Sequence, residues 1–174
     1  MITKYANKEQ SMLFNHTLMH LMQNHLNTEG TLMSKTNFTS GCLATTVGGL
    51  RDLKKVSLGP VYFQKDGTES GQSNHIYYAI DHIYAYSLGI KAEMDTATRK
   101  ANLLSVCNSS QIGMLLNKKD TAAILSISIS KLDVLTRENA IAQFKYNRAK
   151  NSPVRYHILS IIDYIVNLEY TQTV

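Results

Sequence analysis

The sequence predicts a mainly helical protein with small β-hairpins, organised as two similar modules joined by a helix. Three observations support this fold class: a repeated apolar pattern, helix-capping residues at matching places in both copies, and a short alternating stretch late in each copy. The predicted divisions are an N-terminal helix at 1–30, module 1 at 31–89, a connecting helix at 90–113, module 2 at 114–169 and a tail at 170–174.

The composition excludes several classes of protein. Among the 174 residues, no apolar run approaches the roughly 18 that a membrane helix needs, and residues 1–10 lack the apolar core of a signal peptide. We therefore expect a soluble, cytoplasmic protein without a membrane partner. Two cysteines, Cys42 and Cys107, are too few for a metal cluster or a disulfide framework, so buried free thiols are expected.

The repeat is visible as self-similarity at a nearly constant distance. Residues 33–53 align with 115–135 at an offset of 82, and the offset falls to 78 where 78–80 lie over 156–158. The change falls inside a polar, turn-like stretch, where a difference in length is easiest to absorb. We interpret the two segments as copies of one fold unit.

The first signals in each copy are helix caps. Ser34 and Asn117 are placed to cap a short helix, and Thr45 or Thr46 and Ser126 or Ser128 to cap a second one. Apolar residues three apart then form one face of the second helix, and we expect them to point inward. They are Val47, Leu50 and Leu53 in the first copy and Ile129, Leu132 and Leu135 in the second.

An alternating segment and a final helix complete each copy. Residues 61–63 and 76–78 are predicted to form one hairpin, and residues 143–146 and 154–156 the other. A helix, a tight turn, a helix, a β-hairpin and a helix within about 55 residues make the winged helix–turn–helix arrangement, whose second helix can enter a DNA major groove. The predicted fold is therefore two tandem winged helix–turn–helix modules.

Local motifs also carry a family resemblance. Residues 59–62 (GPVY) with 76–86 (IYYAIDHIYAY) resemble the end of an excisionase/AlpA/MerR-type DNA-binding domain, and residues 115–125 (LLNKKDTAAIL) resemble its start. Two copies in one chain are similar to the internal-dimer arrangement of small accessory proteins of conjugative plasmids. The resemblance implies binding to double-stranded DNA, in transcription regulation or as an accessory factor of a mobile genetic element such as a plasmid or phage.

The two modules differ in charge. Residues 114–169 hold eight basic and five acidic side chains, whereas the first hairpin carries Asp66 and Glu69. Gly48-Gly49 falls inside the second helix of module 1, where each glycine costs roughly 1 kcal/mol relative to alanine. Module 2 is therefore the better candidate for binding DNA.

Candidate contacts are the side chains that the second helices, at about 46–55 and about 128–137, leave exposed, together with the second hairpin. Arginine and lysine can donate to guanine, while basic hairpin residues neutralise phosphates without reading sequence. Ordinary solvated charges remain the alternative at each position. The base-reading candidates are Arg51, Lys54, Ser130 and Lys131. The phosphate candidates are Lys55, Thr136, Arg137, Lys145, Arg148, Lys150 and Arg155.

No pattern indicates an enzyme, a cofactor or a metal site. His16 and His20 are four apart and could share a metal on one helix face, but no third ligand accompanies them. Two modules in one chain could place two helices in successive major grooves about 34 Å apart, as a dimer does, and a homodimer or another protein partner remains an alternative. The rival function is a winged-helix adaptor or inhibitor without sequence-specific DNA binding.

Overall fold

The computed structural model describes residues 8–35, 61–63, 75–88 and 95–168. Within these ranges the chain is mainly helical and carries two small antiparallel sheets, which confirms the predicted class at that level. The helices are α1 (Lys8–Glu29), α2 (Ile80–Ser87), α3 (Thr96–Ser109), α4 (Lys118–Ile124), α5 (Ile129–Arg137) and α6 (Ile158–Asn167). The strands are β1 (Met33–Lys35), β2 (Val61–Phe63), β3 (His75–Ala79), β4 (Leu115–Leu116), β5 (Gln143–Lys145) and β6 (Val154–His157). None of the helices in the described ranges is both long and apolar enough to span a membrane.

The chain divides into two compact units. The described residues of unit 1 are 8–22, 33–35, 61–63, 75–88 and 168, and those of unit 2 are 23–32 and 95–167. The last turns of α1 thus belong to unit 2, where the Gln23 amide donates to the Ser109 carbonyl at 3.3 Å and the Leu32 N–H donates to the Ile124 carbonyl at 2.7 Å. Gly30, at a φ of 69°, ends α1 with its N–H on the Leu26 carbonyl.

Each unit has a three-stranded sheet with the same connectivity, in the order β1-β3-β2 and β4-β6-β5. The first strand of each sheet pairs with the last: Ser34 lies opposite Tyr78, and Leu116 lies opposite Tyr156. The two pairs occupy equivalent positions in the sequence repeat, because Ser34 and Leu116 are 82 residues apart and Tyr78 and Tyr156 are 78 residues apart. The hairpins differ in register by one residue, because Tyr62 pairs with Ile76 whereas Phe144 pairs with Arg155 rather than with Val154.

The short first strand of each sheet was absent from the sequence prediction, and one cap prediction is wrong as a result. Ser34 does not cap a helix at this point of the chain; it is buried within β1 and pairs with β3. Strands of two or three residues are too short to produce a readable alternation of apolar and polar side chains.

The caps of unit 2 confirm where its helices begin. The Asn117 carboxamide oxygen accepts the Asp120 N–H at 2.9 Å, and the Ser128 hydroxyl accepts the Lys131 N–H at 3.1 Å. Between α4 and α5, Ser126 has a φ of 56°, and the Ile127 N–H donates to the Ala122 carbonyl at 3.0 Å. This closed turn reverses the chain and fixes α5 against α4.

The core of unit 2 forms where α4, α5 and α6 meet the inner side of the sheet. The α3 helix joins it by packing on α6, with the buried Arg99 guanidinium donating to the Val166 carbonyl at 3.5 Å and Lys100 paired with Asp163. The three helices and Leu125, which follows α4, contribute many buried side chains. These include Thr121, Ile124, Leu125, Leu132, Leu135, Ile158, Ile161, Ile162 and Ile165.

The prediction that Ile129 points inward with Leu132 and Leu135 is wrong, since its side chain is 47% exposed. Three-residue spacing drifts around a helix of about 3.6 residues per turn, so Ile129 lies about 120° away from Leu135. It therefore faces solvent on the first turn of α5.

A left-handed residue at the end of α3 offers a test of the local structure. Gln111 has a φ of 57° and is exposed, and the neighbouring Ile112 N–H donates to the Cys107 carbonyl at 2.9 Å. We expect Gln111→Gly to raise the free energy of unfolding by about 1 kcal/mol, because glycine lacks the Cβ that disfavours this conformation. Gln111→Ala is the matched control: it removes the same polar group but keeps the Cβ, so a urea titration that gives equal stabilisation by both variants would contradict this account.

Candidate nucleic-acid interface

The first turns of α5 carry the predicted base-reading residues of module 2. Ser130 is exposed and Lys131 is half-buried. Ser130 lies opposite the buried Leu132 and Leu135, whereas Lys131, four residues before Leu135, lies at the edge of the buried side. Asp133, the acidic residue on α5, is paired with Lys118 of α4, which reduces its repulsion of an anionic ligand.

A basic hairpin, defined here as residues 143–157, follows α5. Its turn is tied by hydrogen bonds from the Asn147 N–H to the Ser152 hydroxyl at 3.3 Å and from the Ser152 N–H to the Ala149 carbonyl at 3.0 Å. Lys145, Arg148 and Lys150 are all exposed on it. The hairpin contains no carboxylate.

The three hairpin cations are available to an external anion. Among the residues that the structure describes, Lys145, Arg148 and Lys150 have no carboxylate within ion-pair distance. Arg155 is half-buried in β6, and its guanidinium donates to the Val154 carbonyl at 3.0 Å. Arg137 is exposed in the last turn of α5. Positive charge thus runs along the hairpin, while at the end of α5 the exposed Arg137 is followed by the exposed Glu138.

Thr136 links α5 to the hairpin. Its hydroxyl donates to the Leu132 carbonyl at 2.8 Å and lies 3.4 Å from the hydroxyl of the buried Tyr156 in β6. Because the Thr136 proton is used within α5 and its oxygen faces Tyr156, this residue positions the two elements instead of presenting a free donor. The link brings the end of α5 to the base of the hairpin.

The remaining predicted contacts lie outside the described residues. These are Arg51, Lys54 and Lys55 of module 1, together with Cys42 and the pair Gly48-Gly49. The structure therefore places the predicted residues of module 2 alone, and it brings Ser130, Lys131, Arg137 and the hairpin cations into one unit.

Sequence reasoning missed three exposed apolar side chains on the same elements. Ile129 was assigned to the core, and Phe144 and Tyr146 were taken only as flanking strand residues, yet Phe144 is 47% and Tyr146 62% exposed. The spacing of Phe144 and Tyr146, two residues apart among lysine and arginine, is the signal that could have identified them.

Two buried ionisable groups in unit 2 have strongly altered proton affinity. Burial lowers the pKa of His25 to about 4 and raises the pKa of the Cys107 thiol to about 12. Cys107 is a buried free thiol, as predicted, and it stays protonated at neutral pH. In the described parts of the chain, no three histidine, cysteine or acidic side chains gather into a group that could hold a metal ion.

No model of a known protein family matches the sequence, and comparisons with curated proteins and with solved structures give no match either.

Proposed function

We propose that unit 2 is a winged helix–turn–helix module that binds double-stranded DNA, with α5 in the major groove and the basic hairpin on the sugar–phosphate backbone. The observation that carries the proposal is the basic hairpin itself, which holds four cations and no carboxylate and is joined to the end of α5 through Thr136 and Tyr156. A surface of one charge beside a solvent-facing helix suits a polyanion.

Two roles follow from the positions of the side chains. Ser130 and Lys131 lie on the early turns of α5, the part of a recognition helix that reaches base edges, while Lys145, Arg148 and Lys150 fix register by phosphate contact. Ile129 adds an apolar surface of the kind that contacts the thymine methyl group.

The proposal extends to the whole chain as a tandem arrangement. The common strand order of the two sheets supports two copies of one module, of which module 1 contributes Arg51, Lys54 and Lys55. Two different recognition helices in one chain suit an asymmetric pair of half-sites, as a transcription regulator or an accessory factor of a mobile element requires.

The base-reading role can be tested on a site selected from a random duplex library at near-physiological salt. We expect Ser130→Ala with Lys131→Ala to weaken binding to the selected site by about tenfold or more, because base-edge hydrogen bonds are worth about 1–3 kcal/mol. Binding to random duplex is expected to change much less, since phosphate contacts remain.

Lys119→Ala is the matched control, since it removes one positive charge from an exposed lysine of α4. It should change the affinities for the selected and the random DNA by the same factor. Equal losses on both DNAs from the Ser130 and Lys131 changes would reject the assigned base contacts.

A protein-binding adaptor is the second candidate, and exposed apolar side chains outside residues 143–157 favour it. Met114 is 46% and Leu159 43% exposed in unit 2. Such an adaptor would bind DNA without preference for any selected site, so the library selection separates the two functions.

A further inference from the structure

In the sheet of unit 2, Leu116 of β4 and Tyr156 of β6 are buried, whereas all three residues of β5 are exposed. Side chains directly opposite each other in an antiparallel pair share a face, and neighbours along a strand alternate. Tyr156, 1% exposed, lies opposite the buried Leu116 and marks the inner face. Arg155 lies opposite Phe144, so these two belong to the outer face.

The outer face carries an aromatic pair beside a cation. The rings of Phe144 and Tyr146 have centroids 5.4 Å apart at an interplanar angle of 80°, and both rings are about half exposed or more. Leu115 lies opposite His157 on the same face and is itself 37% exposed. Exposed aromatic side chains on a sheet, next to arginine and lysine, are unusual on a surface that contacts only water.

We infer that the outer face, defined as Phe144, Tyr146 and Arg155, binds an unpaired nucleobase of a nucleic acid whose duplex part lies against α5. This rests on the proposed function of unit 2. The inference commits to a nucleic acid because the aromatic pair belongs to a hairpin that holds four cations and no carboxylate, which complements a phosphate backbone, and because a nucleobase supplies the flat face that aromatic rings stack on.

The chemistry of each group supports the assignment. A nucleobase gains from stacking on an aromatic ring whatever its sequence, because every base has a π-face. In the T-shaped arrangement, the edge of one ring packs against the face of the other and holds it in place. A base can therefore stack on a ring that is already ordered. Arg155, opposite Phe144 across the hairpin, is placed to meet the phosphate next to the stacked base.

The test compares a blunt duplex with the same duplex extended by a single-stranded thymidine tail, using the full chain. We expect the tailed duplex to bind about fivefold more tightly or better, the gain typical of one stacked base. Phe144→Leu with Tyr146→Leu should abolish this preference and leave blunt-duplex affinity within about twofold, because leucine retains apolar bulk without a π-face.

Two controls protect the interpretation. Phe144→Tyr with Tyr146→Phe keeps both rings and should keep the preference, as should Leu159→Ala, which truncates an exposed apolar side chain of α6.

A fluorescent adenine analogue in the tail should be quenched by the wild-type protein and not by the leucine variant. A tail of uridine ribonucleotides distinguishes RNA from DNA as the source of the base.

The two proposals can fail separately. Blunt-duplex binding reports on the proposed function, whereas the ratio of tailed to blunt affinity reports on the stacking site. A ratio near one in the wild-type protein, or a ratio that survives in the leucine variant, overturns the stacking site alone. Absence of binding to either DNA overturns both.

Discussion

Replacing Lys145, Arg148 and Lys150 together by alanine is expected to lower the salt dependence of DNA binding. Each phosphate contact contributes about 0.9 to the slope of log affinity against log salt, so the loss of three should reduce the slope by roughly 3. Between about 50 and about 200 mM salt, the wild-type protein should therefore lose about 40-fold more affinity than the variant. Fluorescence anisotropy across a salt series measures both quantities.

The matched control keeps the charge and changes the shape. Lys145→Arg, Arg148→Lys and Lys150→Arg together retain three cations, so the slope should stay at the wild-type value because counterion release depends on charge neutralised. All three side chains are exposed, and the fold is not expected to depend on them. An unchanged slope in the alanine variant would show that the basic hairpin does not contact phosphate.

The helix caps and the basic hairpin of module 2 were readable from the sequence because charge and capping are local properties. Asn117 and Ser128 cap the helices that they were predicted to cap, and three cations of the second hairpin, Lys145, Arg148 and Lys150, are exposed. Capping depends on a side chain and a backbone N–H only three residues away, so short windows of sequence contain the information.

Features that depend on distant contacts were harder to predict. Ser34 becomes a strand residue because β3, more than forty residues later, pairs with it, and Thr136 turns toward Tyr156 twenty residues away. Ile129 matches the spacing of the core residues but drifts out of the buried face of α5. For Ser34 and Thr136 the deciding partner is set by tertiary packing, which a local pattern does not contain.

The packing of the C-terminal end of α1 also depends on distant contacts. The sequence predicts the N-terminal helix itself, but it contains no signal for which unit the last turns of that helix join. In the structure, Gln23 and Leu32 donate to Ser109 and Ile124, so residues 23–32 complete unit 2 from the other end of the chain. Unit 2 therefore depends on a segment that precedes module 1, and cutting the chain after module 1 would remove part of its core.

Acid is expected to destabilise unit 2 through His25, which lies in that segment. His25 is 3% exposed, with its Nε2 atom 3.4 Å from the Thr31 hydroxyl, and burial lowers its pKa from 6.5 to about 4. The unfolded chain therefore binds a proton at His25 more readily than the folded chain does at every pH between these values. By linkage, stability falls as the pH decreases below about 6.5 and levels off below about 4.

The expected loss is large for a single residue. Since each tenfold change in proton affinity is worth about 1.4 kcal/mol, His25 should cost about 2 kcal/mol of folding free energy at about pH 5 and about 3 kcal/mol below about pH 4. His25→Gln cannot titrate, so the difference in unfolding free energy between this variant and the wild type should shrink, or change sign, as the pH falls. Urea titrations followed by far-UV circular dichroism at several pH values measure it.

His16→Gln is the matched control, because it makes the same substitution at an exposed position of α1. A difference between His25→Gln and the wild type that stays constant with pH would mean that His25 is solvated in the folded chain. The segment 23–32 would then not be held in the core of unit 2, because a histidine that is 3% exposed in the folded chain gains a proton only through local unfolding. The pH series therefore tests both the burial of His25 and the packing of the end of α1 into unit 2.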